Sequence, residues 1–304
     1  MGGDKTVLRR EIGPSADSDC PVILVASNGS ERAAHAVRVA GRLAHAEHAQ
    51  LVCEQIIDPQ EGGPGADQAL GDLARAVNAA LGADPARCVV EICHLSDSYT
   101  DEEYGRAVML ADVASRTNAA LLIIGVHGGK GGGKLLSTTM TEKLMKVAPC
   151  PVLIVTGGAV DAYRKVMVAV DFSEVSFDAV EAGMRFAPGA DVVLVHVKPA
   201  DGSEPDRDGT GGADSMRNMS NVAREDLVGK GVKTVPSGDD RVTTQVLEGT
   251  PGDALSQAVA EHQPDLLVLG TRGRTGLTRL IMGSVANKFV ADPPCDVLVL
   301  RSAG

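Results

Sequence analysis

The sequence predicts an α/β protein made of two tandem doubly wound domains, each with a five-stranded parallel sheet. Two observations carry this: the chain repeats itself at a nearly constant offset, and each copy alternates short apolar runs with helical stretches. NAALLIIGVHGG at 118–129 aligns with QPDLLVLGTRGR at 263–274, and APCPVLIV at 148–155 with PPCDVLVL at 293–300. Gly125 falls on Gly270, Gly128 on Gly273 and Cys150 on Cys295, all 145 residues apart and without a gap. Earlier in the copies the offset is 143, which sets Asn28 against Asp171, Ser30 against Ser173 and Glu31 against Glu174. Right-handed crossovers between parallel strands place helices on both faces of each sheet.

The second copy shows the elements most plainly. MVAV at 167–170 is a continuous apolar run, as a parallel strand buried on both faces requires. A helix follows Asp171, then the strand DVVLVHV at 191–197. Residues 199–214, rich in Gly, Pro and Asp, read as a mobile loop, with a helix after it. The strand VTTQVLE at 242–248 leads to a helix opened by Thr250 as N-cap, with Pro251 in its first turn. DLLVLG at 265–270 and DVLVL at 296–300 complete five strands. The first copy repeats the order, including a Gly/Pro-rich loop at 58–67. The expected division is an N-terminal extension at 1–19, domains at 20–157 and 165–304, and a linker at 158–164.

Composition narrows the function. Aromatic residues make up 2% of the chain and Trp is missing, which argues against a stacking groove for single-stranded nucleic acid. A net charge of -11 repels polyphosphate backbones and anionic lipid, so an anionic ligand has to be caught by local donors. Neither nucleic acid nor membrane is an expected partner. The first nineteen residues lack a signal-peptide apolar run, and the expected location is the cytoplasm. Six cysteines form no CxxC pair; Cys88, Cys93 and His94 lie on the strand CVVEICH, whose residues alternate faces, and read as core rather than metal ligands.

A doubly wound sheet binds ligands beyond the carboxyl ends of its strands, where the strand order switches. In the second copy those positions hold Asp171 and the loop GTRGRTGLTRLIMGSV at 270–285, spaced Gly-x2-Gly-x9-Gly-Ser. Gly270 and Gly273 let backbone approach a ligand, Gly283 and Ser284 begin a helix suited to phosphate, and Arg272, Arg274 and Arg279 supply local positive charge. The plainer alternative is that the glycines only shape a turn. His196, inside VLVHV, reads as a core histidine.

On these residues the sequence resembles the universal stress protein family, in two copies spanning nearly the whole chain. The resemblance implies adenine nucleotide alpha hydrolase-like domains that often bind ATP, with or without Mg2+, and stress-response regulation rather than dedicated catalysis. Carried over by position, Ala169, Val170, Asp171 and Val197 look like contacts to adenine and ribose, and Gly270, Arg272, Gly273, Gly283, Ser284 and Val285 like the triphosphate loop. No catalytic residue is assigned, and a slow ATPase, a phosphotransferase or a nucleotide-free scaffold remain the alternatives. The family's domains commonly pair, so the two halves are expected to form a pseudo-dimer, with a homodimer of chains as a further step.

The first copy departs from this pattern. GVHGGKGGGKLLSTT at 125–139 imitates a P-loop, but Leu135 stands where Ser or Thr is needed. Aligned with the second copy instead, it has Asn28 for Asp171, Thr138 for Gly283 and Glu142 for Asn287. Thr139 and Glu142 have the spacing of a capping box that satisfies the helix's own donors. Lys130 and Lys134 offset part of the unfavourable charge. The expectation is that this copy holds ATP weakly or not at all.

Overall fold

The computed structural model describes residues 7–12, 20–27, 31–57, 65–81, 88–94, 101–125, 138–157, 162–198, 241–271 and 282–301. The loop at 199–214 and its following helix, Asn28, Arg272, Gly273, Arg274 and Arg279 lie outside them. The chain divides into two compact units, Met1–Ala159 with Val290–Asp292, and Val160–Phe289 with Pro293–Gly304.

The N-terminal unit runs β1 (Val7–Ile12), β2 (Val22–Ala26), α1 (Glu31–Ala46), β3 (Gln50–Ile57), α2 (Ala66–Leu81), β4 (Cys88–His94), α3 (Glu102–Arg116), β5 (Ala119–Gly125), α4 (Thr138–Val147) and β6 (Val152–Val155). Its sheet order is β1-β4-β3-β2-β5-β6. Strands β2 to β6 pair in parallel, as expected for this copy. The sheet is nevertheless mixed, because β1 adds antiparallel to β4, from Val7 opposite Cys93 to Ile12 opposite Cys88. Residues 7–12 thus turn part of the expected extension into a sixth strand.

The C-terminal unit runs β7 (Lys165–Val170), α5 (Glu174–Phe186), β8 (Asp191–Lys198), β9 (Val242–Glu248), α6 (Pro251–His262), β10 (Leu266–Gly270), α7 (Ser284–Ala291) and β11 (Asp296–Leu300). Its order is β11-β10-β7-β8-β9, with every pair parallel. The central strands are apolar because both faces are covered: Val166, Met167, Val168, Leu266, Leu267 and Val268 are fully buried. Helix α5 crosses them at Gly183, where an added Cβ would lie 3.2 Å from Val168 Cγ2. The glycine here permits close helix-sheet approach.

Two local expectations need adjustment. Thr250 is the N-cap of α6, but its side chain makes no capping bond. Its carbonyl accepts instead from the N–H groups of Asp253 and Ala254. Helix α4 begins at Thr138, so Thr139 is its second residue and does not stand at the N-cap of the expected capping box. Tyr163, assigned from sequence to the linker, is buried, and its hydroxyl donates to Asp296 Oδ2 at 2.9 Å in the floor of the C-terminal sheet. Asp265 Oδ2 accepts from the N–H groups of Arg164 and Lys165 beside it.

Candidate functional site

Strand order in the C-terminal unit reverses between β7 and β10, since β7 leads to β8 on one side while β10 and β11 lie on the other. Beyond the carboxyl ends of these strands lies a cavity of about 250 Å³. Ala169, Val170 and Asp171 line it from the end of β7, Val195 and Val197 from β8, Leu269 and Gly270 from β10. Ser176 of α5, Pro251 and Leu255 of α6, and Gly283, Ser284, Val285 and Ala286 at the start of α7 complete its described wall.

One side is apolar. Val195, Leu255, Leu269 and Ala286 are each at most 2% exposed. A flat heteroaromatic group gains by transfer onto such a surface, and a small number of placed polar groups then fixes its orientation. Asp171 is the only titratable side chain among the described lining residues. Its Oδ1 accepts from Ser173 Oγ at 2.6 Å and from the Ser173 N–H at 3.1 Å. Ser173 is also the N-cap of α5 and accepts from the Ser176 N–H at 3.3 Å. One serine therefore links the carboxylate to the start of the helix.

Between them, Phe172 adopts a left-handed backbone with φ 61. For a residue with a Cβ that conformation costs roughly 1–2 kcal/mol. The Phe172 ring rests on His196 at 4.5 Å between centroids, and His196 Nδ1 lies 2.8 Å from the Val170 carbonyl oxygen. His196 is 3% exposed, which agrees with its reading as a core residue. The N-terminal copy has Gly29 at the matching position, a residue without that conformational cost.

The opposite side is rich in donors. The Gly283 N–H donates to the Thr271 carbonyl at 2.8 Å, and the Asn287 N–H closes the first helical bond onto the Gly283 carbonyl at 2.9 Å. Helix geometry then leaves the N–H groups of Ser284, Val285 and Ala286 without an intrahelical acceptor, at the positive end of the helix dipole. Gly283 has no positive φ, and an added Cβ would meet only the Thr271 carbonyl oxygen, at 3.4 Å. The turn tolerates a side chain there, so its shape alone does not account for the glycine. Lys288 Nζ ties α7 to α6 through Asp253 Oδ1 at 2.8 Å and the Gly252 carbonyl at 3.1 Å.

The sequence-derived candidates Ala169, Val170, Asp171, Val197, Gly270, Gly283, Ser284 and Val285 all line this one cavity. Arg272 and Gly273 fall outside the described residues. Sequence reasoning missed Val195, which is legible as the residue two before Val197 on the same strand face, and Leu255, one helical turn after Pro251.

The N-terminal unit treats the matching positions differently. Ala26 is paired with Glu54 as Ala169 is with Val195, so a carboxyl stands where the second unit has an apolar cavity wall. Arg106 takes the place of Pro251 at the 145-residue offset, and its Nη1 donates to the Ile56 carbonyl at 3.0 Å. Helix α3 starts at Glu102, a turn earlier relative to the repeat than α6 does. Lys143 bonds both Asp101 and Glu103 there.

Comparison with known proteins adds the following. The model of the Universal stress protein family matches residues 21–156 and again 162–301. A universal stress protein of Methanocaldococcus jannaschii is 27% identical over 144 residues, covering 46% of this chain and 82% of that protein. A universal stress protein E homolog of Haemophilus influenzae is 27% identical over 182 residues, covering 55% of this chain and 57% of its own length. Among solved structures, a universal stress protein of Archaeoglobus fulgidus superposes with a TM-score of 0.60 at 18% identity, over 94% of this chain and all of that one. At that identity the likeness is one of fold.

Proposed function

The chain belongs to the universal stress protein family, and from that premise we propose that it is a regulatory stress protein that holds ATP in its C-terminal unit. The observation that carries the reading is the convergence, in one cavity, of an apolar wall, one carboxylate and the helix-start N–H groups that have no intrahelical acceptor. Asp171 would receive the adenine amino group, with Val195, Val197 and Leu255 against the base and ribose. Gly270, Gly283, Ser284 and Val285 would take the phosphates, joined by Arg272 and Gly273 of the intervening loop. Gly283 fits this role because its missing Cβ leaves room that the turn itself does not require.

Bound ATP supplies three phosphates of negative charge, and the chain answers with helix-end donors rather than with bulk charge, which is net acidic. Among the described residues no group of three or more His, Cys, Asp or Glu side chains is suited to a metal, so any Mg2+ would arrive with the phosphates. Phosphoryl transfer needs a group that orients the attacking nucleophile. Asp171 is the only described titratable candidate, and its Oδ1 already accepts two bonds from Ser173. We therefore favour retention over turnover. No described helix is long and apolar enough to cross a membrane, and no disulfide joins any of the six cysteines; the cytoplasmic location is part of the proposal.

In the N-terminal unit, Asn28 for Asp171, Thr138 for Gly283 and Glu54 for Val195 all work against the same ligand. Pairing of the halves, and of chains, belongs to the proposal and is checked by sedimentation. The direct test is to purify the chain, release small molecules and weigh them. ATP or ADP at about one per chain supports the reading, and a nucleotide-free chain that also ignores added ATP refutes it.

A further inference from the structure

The N-terminal unit buries two carboxyls side by side. Glu54 on β3 and Glu91 on β4 are register partners in a parallel pair, 0% and 2% exposed. The same strand face carries Cys93, and α3 brings Arg116 over them. Arg116 Nη2 lies 2.5 Å from Glu91 Oε2 but 3.9 Å from Glu54 Oε2. Arg9 of β1 adds a second guanidinium to Glu91 alone, Nε to Oε1 at 3.8 Å. Arg106 of α3 is engaged with the Ile56 carbonyl, and Cys53 and Cys88 face each other with sulfurs 3.7 Å apart.

Both guanidiniums therefore stabilise negative charge on Glu91 more than on Glu54, and among the described residues neither oxygen of Glu54 has a conventional hydrogen-bond partner. An unpaired buried carboxylate is costly; a neutral carboxyl can place its O–H on the neighbouring carboxylate. We propose that Glu54 and Glu91 share one proton in the folded N-terminal unit, and that its loss to solvent base is a pH-dependent switch in this unit's stability. The switch occupies the position where the other unit has a ligand cavity, and it stands whether or not that cavity holds ATP.

The direction of titration agrees. Burial, chiefly, pushes Glu54 from its ordinary 4.5 up to about 8; Cys93 opposes this, the charge on Glu91 adds to it, and Arg116 only partly offsets it. Burial also holds the Cys93 thiol far above its usual range, so it stays protonated and able to donate. A group whose pKa is raised by folding keeps extra protons in the folded state between its two values. The stabilisation is complete below 4.5 and is lost as pH rises through about 8.

The test is hydrogen exchange of the β3 and β4 peptides in the full chain, corrected for intrinsic rate, at pH 6 and 8.5. Two pH units below the folded value correspond to roughly 100-fold in local opening, so wild-type protection should fall by about that factor. Glu54→Gln should flatten the dependence and match or exceed wild-type protection at pH 8.5. Glu91→Gln frees Arg116 for Glu54 and should move the fall at least about one unit toward acid. Infrared spectra of the wild-type chain need no variant and should show a protonated-carboxyl stretch at pH 7 that disappears above pH 9. A flat wild-type profile, a missing carboxyl stretch at pH 7, or a Glu54→Gln chain as pH-dependent as wild type would each overturn the proposal.

Discussion

Replacing Gly283 with Thr copies the N-terminal unit's own residue into the C-terminal cavity. The fold should accept it. The position precedes the first residue of α7, has no positive φ, and offers an added Cβ an ordinary contact at 3.4 Å from the Thr271 carbonyl. Thr is moreover a competent N-cap, so the stability change should stay within about 0.5 kcal/mol of zero. Binding should not survive as well. Its side chain fills the approach to the N–H groups of Ser284 and Val285, and its hydroxyl can satisfy one of them. Losing two hydrogen bonds to a charged phosphate, at about 1.5 kcal/mol each, removes about 3 kcal/mol, or roughly a 100-fold increase in Kd. Calorimetry with ATP and with adenosine separates the two ends of the ligand. ATP affinity should fall toward that of adenosine, and adenosine affinity should be unchanged. An equal loss for both ligands would refute the reasoning, because it would place the damage in the fold or at the base rather than at the phosphates.

Other expectations follow from the same geometry. Asp171→Asn keeps an oxygen for Ser173 to bond but removes the charge, and should weaken adenosine and ATP alike by about tenfold, the scale of one hydrogen bond to a charged group. Gln263 closes α6 in the left-handed region at φ 49, so Gln263→Gly should raise stability by about 0.5–1 kcal/mol, read from the denaturant midpoint at unchanged slope. Tyr163→Phe removes a donor from the buried Asp296 carboxyl and should cost about 1.5–3 kcal/mol in the same assay.

How far the sequence could be read depended on whether a feature was local. The repeat and the apolar strand runs are written in contiguous residues, and they led to the parallel core of both units and to the strand ends at Asp171 and Gly270. Strand β1 was not legible in this way. VLRREI carries three charges, Arg9 and Glu11 are more than half exposed, and only pairing with β4, some eighty residues later, makes it a strand. The Glu54–Glu91 pair failed for a related reason. Each glutamate sits inside an apolar run, CEQII and CVVEICH, where a charge is unexpected, but nothing in sequence says that the two are neighbours. The signal that could have raised the question was the charge itself, inside apolar runs of a parallel sheet that helices cover on both faces.

Thr250 shows a finer limit. Residue type and position marked the N-cap of α6, yet the rotamer that would make the capping bond is set by packing that a sequence pattern does not contain. The unusual conformation of Phe172 is of the same kind: the glycine at 29 hints that the matching position needs left-handed backbone, and the second copy meets that need with a ring held against His196.

The central claim is that one half of a duplicated chain holds ATP and the other does not. Calorimetric titration of the full chain with ATP, repeated with Gly283→Thr, tests it most directly. The account predicts about one ATP per chain in the wild type and no remaining tight site in the variant. Two equivalent tight sites, or one that persists undiminished in the variant, would contradict it.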